Sequence, residues 1–381
     1  MKINKLKLVN FRNYDIFSAD FEKMITVFYG KNGQGKTNLL ESIFYAAFGL
    51  SHRTNKEEDM MKFSSEGMSV MLEFEKYDGP HSIRIKRYVD NGKLHKEINI
   101  DGKKTSSKNH YGYFNAVMFS PEDLQIVKGD PSLRRRFMDM EISQTDPVYY
   151  DLLVRYRRLL RQRNSLLKII RDQNHSKEQL SVWDEEISDV NAQVLVKRLE
   201  NIKKLKNILI PAFNVLSDKS DSLDIKYEIK GNDGNLFYPE EETFESLKDF
   251  YNKNLQERMY KDILMGNTGI GIHRDDMKIY INGAESKSFA SQGQQRCCAL
   301  ALKLSQIEYI KNISGEYPVL LLDDVMSELD SHRRNQLIGF INEKVQTFIT
   351  VNDKSLIPDF PSSRYCEIEK GKIKKECYGR C

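Results

Sequence analysis

The spacing of apolar positions changes several times along the chain, and each change marks an element. Over residues 1–30 it reads as strands: Ile3, Leu6, Leu8 and Phe11, then Ile25, Val27 and Phe28, closing on a glycine. From Lys36 the apolar residues Leu39, Leu40, Ile43 and Phe44 fall at helical spacing and predict a helix over 36–50. Residues 68–101 return to period two, with Met68, Val70, Leu72 and Phe74 on one face. Asp90-Asn91-Gly92 and Asn99-Ile100-Asp101-Gly102 are hairpin-turn signals, so this stretch reads as a meander.

The character changes after Phe119-Ser120-Pro121-Glu122, and residues 132–210 read as helical. Leu153, Leu160 and Leu167 recur every seventh residue, and Leu152, Tyr156, Leu159, Leu166 and Ile170 complete the stripe. A turn is expected at Asp172-Gln173-Asn174-His175-Ser176, and a second helix carries Trp183, Ile187, Val190, Val194 and Leu195. Each helix holds only about three heptads, which predicts a short antiparallel hairpin rather than a long coiled coil. Residues 225–245 read as polar and irregular. Strand character returns at Lys278-Ile279-Tyr280-Ile281, before the turn Asn282-Gly283. A helix over 294–311, a strand over 318–322, a helix over 331–343 and a strand over 346–351 follow. The expected fold class is α/β: a nucleotide-binding lobe of residues 1–125 plus 270–381, interrupted by a mostly helical lobe of residues 126–269.

Composition adds bounds. The 381 residues are 40 % hydrophobic, enough to bury a core, and 30 % charged with a net charge of only +4. Charge alone therefore announces no nucleic-acid partner, and its distribution matters more. No apolar run is long enough to span a membrane, and Met1-Lys2-Ile3-Asn4-Lys5 leads into no apolar signal segment. Cys297, Cys298, Cys366, Cys377 and Cys381 lack zinc-type spacing. A cytoplasmic protein with reduced, incidental thiols is expected; the alternative is a disulfide or metal site near the C-terminus.

Gly30-Lys31-Asn32-Gly33-Gln34-Gly35-Lys36-Thr37 fits the phosphate-loop pattern, with a strand before it and a helix after it. Such glycines let backbone N–H groups face phosphate oxygens, and the helix N-terminus adds its dipole. Lys36 is expected to reach the β/γ-phosphates of ATP, and the Thr37 hydroxyl to ligate Mg²⁺. Val319-Leu320-Leu321-Leu322-Asp323-Asp324 is an aliphatic strand ending in two carboxylates. Continuous aliphatics suit a strand buried on both faces of a parallel sheet, and ligands bind beyond the carboxyl ends of such strands. Asp323 is the candidate second Mg²⁺ ligand, and Asp324 the candidate to orient or deprotonate the attacking water. The competing reading of the pair is helix capping.

Ser291-Gln292-Gly293-Gln294 precedes an apolar helix and resembles the signature of ABC-type ATPases; the competing reading is an ordinary polar helix start. In that class the signature meets the γ-phosphate held by a partner subunit, so the resemblance implies two ATP molecules sandwiched in a head-to-tail dimer. Ser327-Glu328-Leu329-Asp330 resembles the D-loop, which crosses the same interface.

The interval from Thr37 to Ser291 is longer than in transporter subunits of similar motif set, and far shorter than in ATPases with long coiled coils. That intermediate size resembles the RecF recombination-repair family, and further segments carry the likeness. They are Leu8 to Tyr14, Ser51-His52-Arg53-Thr54, Phe119 to Leu124, Lys128 to Pro131, Arg134-Arg135-Arg136-Phe137, His273-Arg274-Asp275-Asp276 and Asp323 to Asp330. The resemblance runs from about residue 1 to 353. Two departures stand out. Ile272 replaces a common proline before the His273 turn, to which no role is assigned. Thr350, Asn352 and Asp353 stand where many ABC proteins place a histidine, which the RecF family also lacks.

The resemblance implies an ABC-type ATPase head, an ATP-switched clamp on duplex DNA at gaps or junctions, a weak ATPase, and partners RecO and RecR that help load recombinase. The alternative is an energy-coupling subunit of a membrane transporter, which the long insertion disfavours. Candidate DNA contacts are His52 and Arg53, then Arg134, Arg135 and Arg136, then Arg157, Arg158 and Arg161 in an arginine-rich helix with Arg155 and Arg163. The competing reading is a solvated charged face paired with acids such as Asp151, or, for His52 and Arg53, local capping.

Overall fold

The computed structural model describes residues 1–54, 56–173, 176–217, 220–232, 234–240, 242–341, 344–357 and 363–379. The chain divides into two units, Met1–Asp123 with Gln306–Cys381, and Leu124–Ser305.

The first unit contains two six-stranded sheets. One is antiparallel, in the order β2-β1-β4-β5-β6-β7. Its strands are β1 (Lys2–Phe11), β2 (Tyr14–Asp20), β4 (Gly67–Lys76), β5 (Gly79–Asp90), β6 (Lys93–Ile100) and β7 (Lys103–Thr105). Met68, Val70, Leu72 and Phe74 are all buried, as period two requires. The turns after β5 and β6 hold Asn91 and Gly92, and Asp101 and Gly102, at positive φ. That backbone matches the twist of the flanking strands.

The other sheet has the order β16-β15-β3-β14-β13-β8. Here β3 (Ile25–Tyr29), β8 (Ala116–Phe119), β13 (Val319–Asp323), β14 (Thr347–Val351) and β15 (Arg364–Glu369) run parallel, and β16 (Lys372–Tyr378) closes the edge antiparallel. Every residue of β13 and β14 is buried, which explains the aliphatic run Val319–Leu322 of β13. Helices α1 (Lys36–Phe48), α2 (Ser107–His110), α10 (Val325–Glu328) and α11 (Ser331–Ile341) complete the unit.

The second unit holds α3 (Leu124–Lys128), α4 (Pro131–Thr145), α5 (Pro147–Gln173), α6 (Leu180–Leu216), α7 (Phe244–Met265) and α8 (Ser286–Phe289), with a four-stranded sheet ordered β10-β9-β11-β12. Its strands are β9 (Leu223–Lys230), β10 (Leu236–Phe237), β11 (Asp276–Ile281) and β12 (Ala284–Glu285). Residues 225–245, expected to be irregular, therefore contain most of β9 and all of β10. Leu223, Ile225, Tyr227 and Ile229 alternate inward along β9. Because β11 pairs with β9 over Asp276–Ile281, residues 270–305 group with the inserted lobe rather than with the nucleotide lobe. Helix α9 (Gln292–Ser314) runs through the division between Ser305 and Gln306.

Helices α5 and α6 form the antiparallel hairpin: Arg155 pairs with Glu186, Arg163 with Asp184 and Lys197 with Asp146. Of the turn expected between them, Asn174 and His175 lie outside the described residues. The stripe on α5 is not wholly apolar. Arg163 is fully buried within it, held by Asp184 at 2.6 Å, Asp262 at 2.9 Å and the Thr268 hydroxyl at 2.9 Å. Arg163→Ala leaves the buried Asp184 carboxylate without its ion-pair partner and takes one of two arginines from Asp262, which keeps Arg258 at 3.1 Å. It is expected to destabilise this unit by about 3–5 kcal/mol. Hydrogen exchange of α5, α6 and α7 in denaturant would read this; unchanged protection would refute it.

Cys297, Cys298 and Cys366 are free and buried, whereas Cys377 is disulfide-bonded. At Cys377 the alternative expected near the C-terminus, a disulfide, applies rather than a reduced thiol.

Candidate functional site

The loop between β3 and α1 is a glycine-rich turn that leads into a helix N-terminus. Gly30, Gly33 and Gly35 all have positive φ. A Cβ at Gly30 would stand 2.7 Å from the Ile368 carbonyl oxygen, and one at Gly35 2.6 Å from the Asn13 amide. Gly35 caps α1 without a side-chain hydrogen bond, and no acidic residue occupies the first turn. The N–H groups at that helix end are thus left to an anion. Lys31, Asn32 and Gly33 are exposed at the loop tip. Neighbouring turns grip the other side. The Tyr14 hydroxyl donates to the Gly35 carbonyl at 3.0 Å, and the Asn13 amide to the Gln34 carbonyl at 3.2 Å. The N–H of Lys370 donates to the Gln34 side chain at 2.8 Å, and that of Gly371 to the Gln34 carbonyl at 3.1 Å. These clamps come from distant hairpins and have no signature in the sequence.

Lys36 is buried, its ammonium donating to the carbonyls of Gly30 at 2.6 Å and Lys31 at 2.9 Å and to Asn352 Oδ1 at 3.1 Å. Burial lowers its pKa, against the nearby charges of Asp324 and Asp323. The Thr37 hydroxyl donates to Asp323 Oδ1 at 2.9 Å, and Thr350 donates to the same oxygen at 2.7 Å. Burial raises the Asp323 pKa, and those two hydrogen bonds oppose it. A hydroxyl and a carboxylate oxygen thus converge at the strand end, the hard-oxygen donor pair that suits Mg²⁺.

Asp324 follows at φ 53° and ψ 20°, a left-handed conformation that aspartate tolerates. Its N–H is held by the Thr350 carbonyl at 3.2 Å and hydroxyl at 3.0 Å. Asn352 Nδ2 lies 3.4 Å from Asp324 Oδ2, while Asp324 Oδ1 is buried with no hydrogen-bond partner among the described residues. Asn352, one of the three residues noted where many ABC proteins place a histidine, therefore touches both Lys36 and Asp324.

The signature segment belongs to the second unit. Gln294 N–H donates to Ser291 Oγ at 3.2 Å, and Ser291 N–H to Gln294 Oε1 at 2.9 Å, a reciprocal helix cap. Gln294 also donates to Asp221 at 2.8 Å. Ser291 and Gln292 are exposed, and Gly293 is half-buried. In the D-loop stretch, Ser327 donates to the Asp324 carbonyl at 2.7 Å, Leu329 is buried, Glu328 is exposed, and Asp330 accepts from the Arg333 N–H at 2.9 Å.

The candidate DNA residues separate into different kinds. Arg134 is only 3 % exposed, with a two-pronged contact to Asp276 at 2.8 Å for each oxygen and a bond to the Gly129 carbonyl at 2.9 Å. This corrects its place among the phosphate contacts: all of that guanidinium is used inside the fold. Arg135 is half-buried and donates to the Asp275 carbonyl at 2.6 Å. Arg136, Arg157, Arg158 and Arg161 are exposed. Arg53 donates to Asn38 at 3.0 Å and lies 3.6 Å from Glu41, and the His52 ring packs edge-on against Phe44. Glu41 is itself held by Arg12 at 2.6 Å and 2.9 Å, so His52 and Arg53 stand on a braced local network.

The His273 turn, left without a role by sequence, is a structural hub. Tyr227 and Tyr251 donate to Asp275 at 2.8 Å and 2.9 Å, Arg198 donates to the Ile272 carbonyl at 2.9 Å, and Asn191 Oδ1 accepts from the Ile272 N–H at 3.0 Å. His273 Nε2 faces the Thr268 carbonyl at 3.1 Å, so that nitrogen carries the proton and Nδ1 accepts from the Tyr156 hydroxyl at 2.5 Å. Burial pushes the His273 pKa down to about 4, keeping the ring neutral.

A family described as RecF/RecN/SMC N terminal domain matches residues 2–368. The chain is 39 % identical to the DNA replication and repair protein RecF of Natranaerobius thermophilus over 351 residues, covering 92 % of this chain and 91 % of that one. It is 40 % identical to the protein of the same description from Clostridium acetobutylicum over 381 residues, covering 98 % and 99 %. A solved structure described as the recombination mediator protein RecF-ATP in the RecFOR pathway superposes with a TM-score of 0.90 at 33 % identity, covering 99 % of this chain and 97 % of that one.

Proposed function

The chain belongs to the RecF family of DNA replication and repair proteins, with the ABC-type ATPase fold, and from that premise we propose that it is an ATP-switched clamp on duplex DNA. The observation that carries this reading is the convergence of Lys36, Thr37, Asp323 and Asp324 at the end of β13, beside a glycine loop with an uncapped helix N-terminus.

The loop from Gly30 to Thr37 holds the phosphates of ATP, and Thr37 with Asp323 holds Mg²⁺, which neutralises phosphate charge when bound. Lys36 turns its ammonium from the loop carbonyls toward the β/γ-phosphates. Asp324 orients the attacking water and receives its proton. Ser291, Gln292, Gly293 and Gln294 read the γ-phosphate held by a second copy of the chain, and Ser327 to Asp330 crosses the same interface. ATP thereby closes a head-to-tail dimer, and slow hydrolysis opens it. Exposed arginines of the second unit, Arg136, Arg157, Arg158 and Arg161, face the DNA backbone, with His52 and Arg53 as a second contact.

The solved relative is described as acting in the RecFOR pathway. The same place is proposed for this chain: gapped or junction-containing DNA, with RecO and RecR as partners in recombinase loading, in the cytoplasm. Among the described residues no helix is long and apolar enough to cross a membrane. The relatives and the solved structure described above do not favour the transporter-subunit reading.

The test is duplex-DNA binding with ATP, ADP and no nucleotide, beside Ser291→Arg. That variant places a bulky cation where the partner's phosphate must approach, while Lys36 and Thr37 stay intact. Nucleotide binding by the monomer is expected to be unchanged. ATP-dependent dimerisation is expected to disappear, and DNA affinity to fall because the second lobe no longer adds avidity. Sedimentation and DNA titration read both. A Ser291→Arg protein that still dimerised with ATP would refute the sandwich.

A further inference from the structure

The second unit commits an unusual amount of buried polar chemistry to one turn. Gly271 sits at φ 131°, where a Cβ would meet the Tyr156 hydroxyl at 2.7 Å, so the backbone path there requires glycine. The Arg274 N–H then closes the turn on the Gly271 carbonyl at 2.7 Å. On the inner side, buried Arg134 grips Asp276, and buried Arg198 grips the Ile272 carbonyl. Tyr227 and Tyr251, both buried, converge on Asp275. Burying ionised groups is costly, and pairing them seldom does better than the apolar packing it displaces. A fold that retains one such ion pair, a second buried arginine on a backbone carbonyl and a buried carboxyl held by two tyrosines around one short turn departs from simple core economy, and such departures are expected where function constrains the chain.

The outward product of this bracing is a single side chain. Ile272, Asp275 and Asp276 are buried, and His273 is tied at both ring nitrogens. Arg274 alone of the turn's charged residues is exposed, and its side chain makes no hydrogen bond or ion pair among the described residues. We propose that Arg274, presented on this braced turn, is a contact for a backbone phosphate of duplex DNA. A guanidinium matches phosphate in a two-pronged geometry, and a turn fixed in advance loses little freedom when it binds. A polyanion is favoured as ligand because Arg157, Arg158 and Arg161 in the same unit are also exposed and have no ion-pair partner among the described residues. This inference rests on the DNA-clamp reading above and names a contact within it.

The experiment titrates a fluorescent duplex with the full chain and ATP at several salt concentrations, using wild type, Arg274→Ala, Arg274→Lys and Arg274→Glu. Sedimentation with ATP runs in parallel. Arg274→Ala is expected to bind about tenfold more weakly, Arg274→Glu more weakly still, and Arg274→Lys in between. The slope of log affinity against log salt should become shallower by about 0.9 for each DNA phosphate that is no longer neutralised. ATP-dependent dimerisation should not change. If wild type retains DNA and Arg274→Ala and Arg274→Glu match it, the inference is wrong while the clamp reading stands; an acidic protein surface then becomes the better partner. If the variants lose the ATP dimer, Arg274 belongs to the subunit interface and the DNA assignment falls. If wild type itself retains no duplex, the clamp reading fails and this inference with it.

Discussion

Lys36→Arg is expected to leave a folded protein whose ATP turnover is at least about 100-fold slower, the scale of removing one aimed donor from a transition state. The geometry supplies the reason. Lys36 is 7 % exposed, and its ammonium is enclosed by the Gly30 and Lys31 carbonyls and Asn352 Oδ1, at 2.6, 2.9 and 3.1 Å. Three donors on one nitrogen satisfy three acceptors around it, and the same compact group can swing to phosphate oxygens without disturbing the loop. A planar guanidinium spreads its donors over a wider fork and is bulkier at its tip, so arginine keeps the charge but not the placement. The fold should tolerate the change, because the glycines and the clamps from Tyr14, Lys370 and Gly371 shape the loop independently of Lys36. Steady-state phosphate release, with thermal unfolding as a control, measures the effect. A wild-type rate in a well-folded Lys36→Arg protein would contradict the assignment of this loop.

How far the sequence anticipates the site depends on whether the relevant partners are close along the chain. The phosphate loop is legible because its glycines, lysine and threonine are contiguous. The strand Val319–Asp323 is legible because both its faces are buried and no polar residue precedes Asp323 in it. The three turns at Asn91-Gly92, Asp101-Gly102 and Asn282-Gly283 all take the positive φ values their residues favour. Strand β9 escaped because its outward positions are charged: Asp224, Lys226, Glu228 and Lys230 mask the inward alternation of Leu223, Ile225, Tyr227 and Ile229. The arginines show the deeper limit. Arg134 and Arg136 look alike in sequence, yet Arg134 is buried on Asp276, whose position is 142 residues away, while Arg136 is exposed. Arg161 and Arg163 part in the same way, one solvated and the other buried among Asp184 and Asp262. Helical phase decides between them, and only the packed partners fix that phase.

Asp324→Asn is expected to bind ATP normally, hydrolyse it about 100- to 10,000-fold more slowly, and accumulate as an ATP-bound dimer. The two neighbouring carboxylates have different surroundings, and this separates their roles. Asp323 Oδ1 is engaged by both Thr37 and Thr350, so its work is to hold the hydroxyl end of the nucleotide site. Asp324 has one oxygen 3.4 Å from the Asn352 amide and the other buried without a partner among the described residues, an acceptor available to a water proton. Asparagine keeps the side chain's size and tolerates the left-handed backbone at φ 53°, and the N–H bonds to Thr350 do not involve the side chain. The substitution therefore removes the negative charge and the proton acceptor while leaving strand end, helix start and Asp323 in place. Asp323→Asn should behave differently, weakening Mg²⁺-dependent nucleotide binding and forming no trapped dimer. Size-exclusion chromatography with ATP, beside single-turnover hydrolysis, distinguishes the two variants. If Asp324→Asn hydrolysed ATP at the wild-type rate, the water would have to be oriented by another group. If both variants trapped the dimer alike, the division of labour between Asp323 and Asp324 would be wrong.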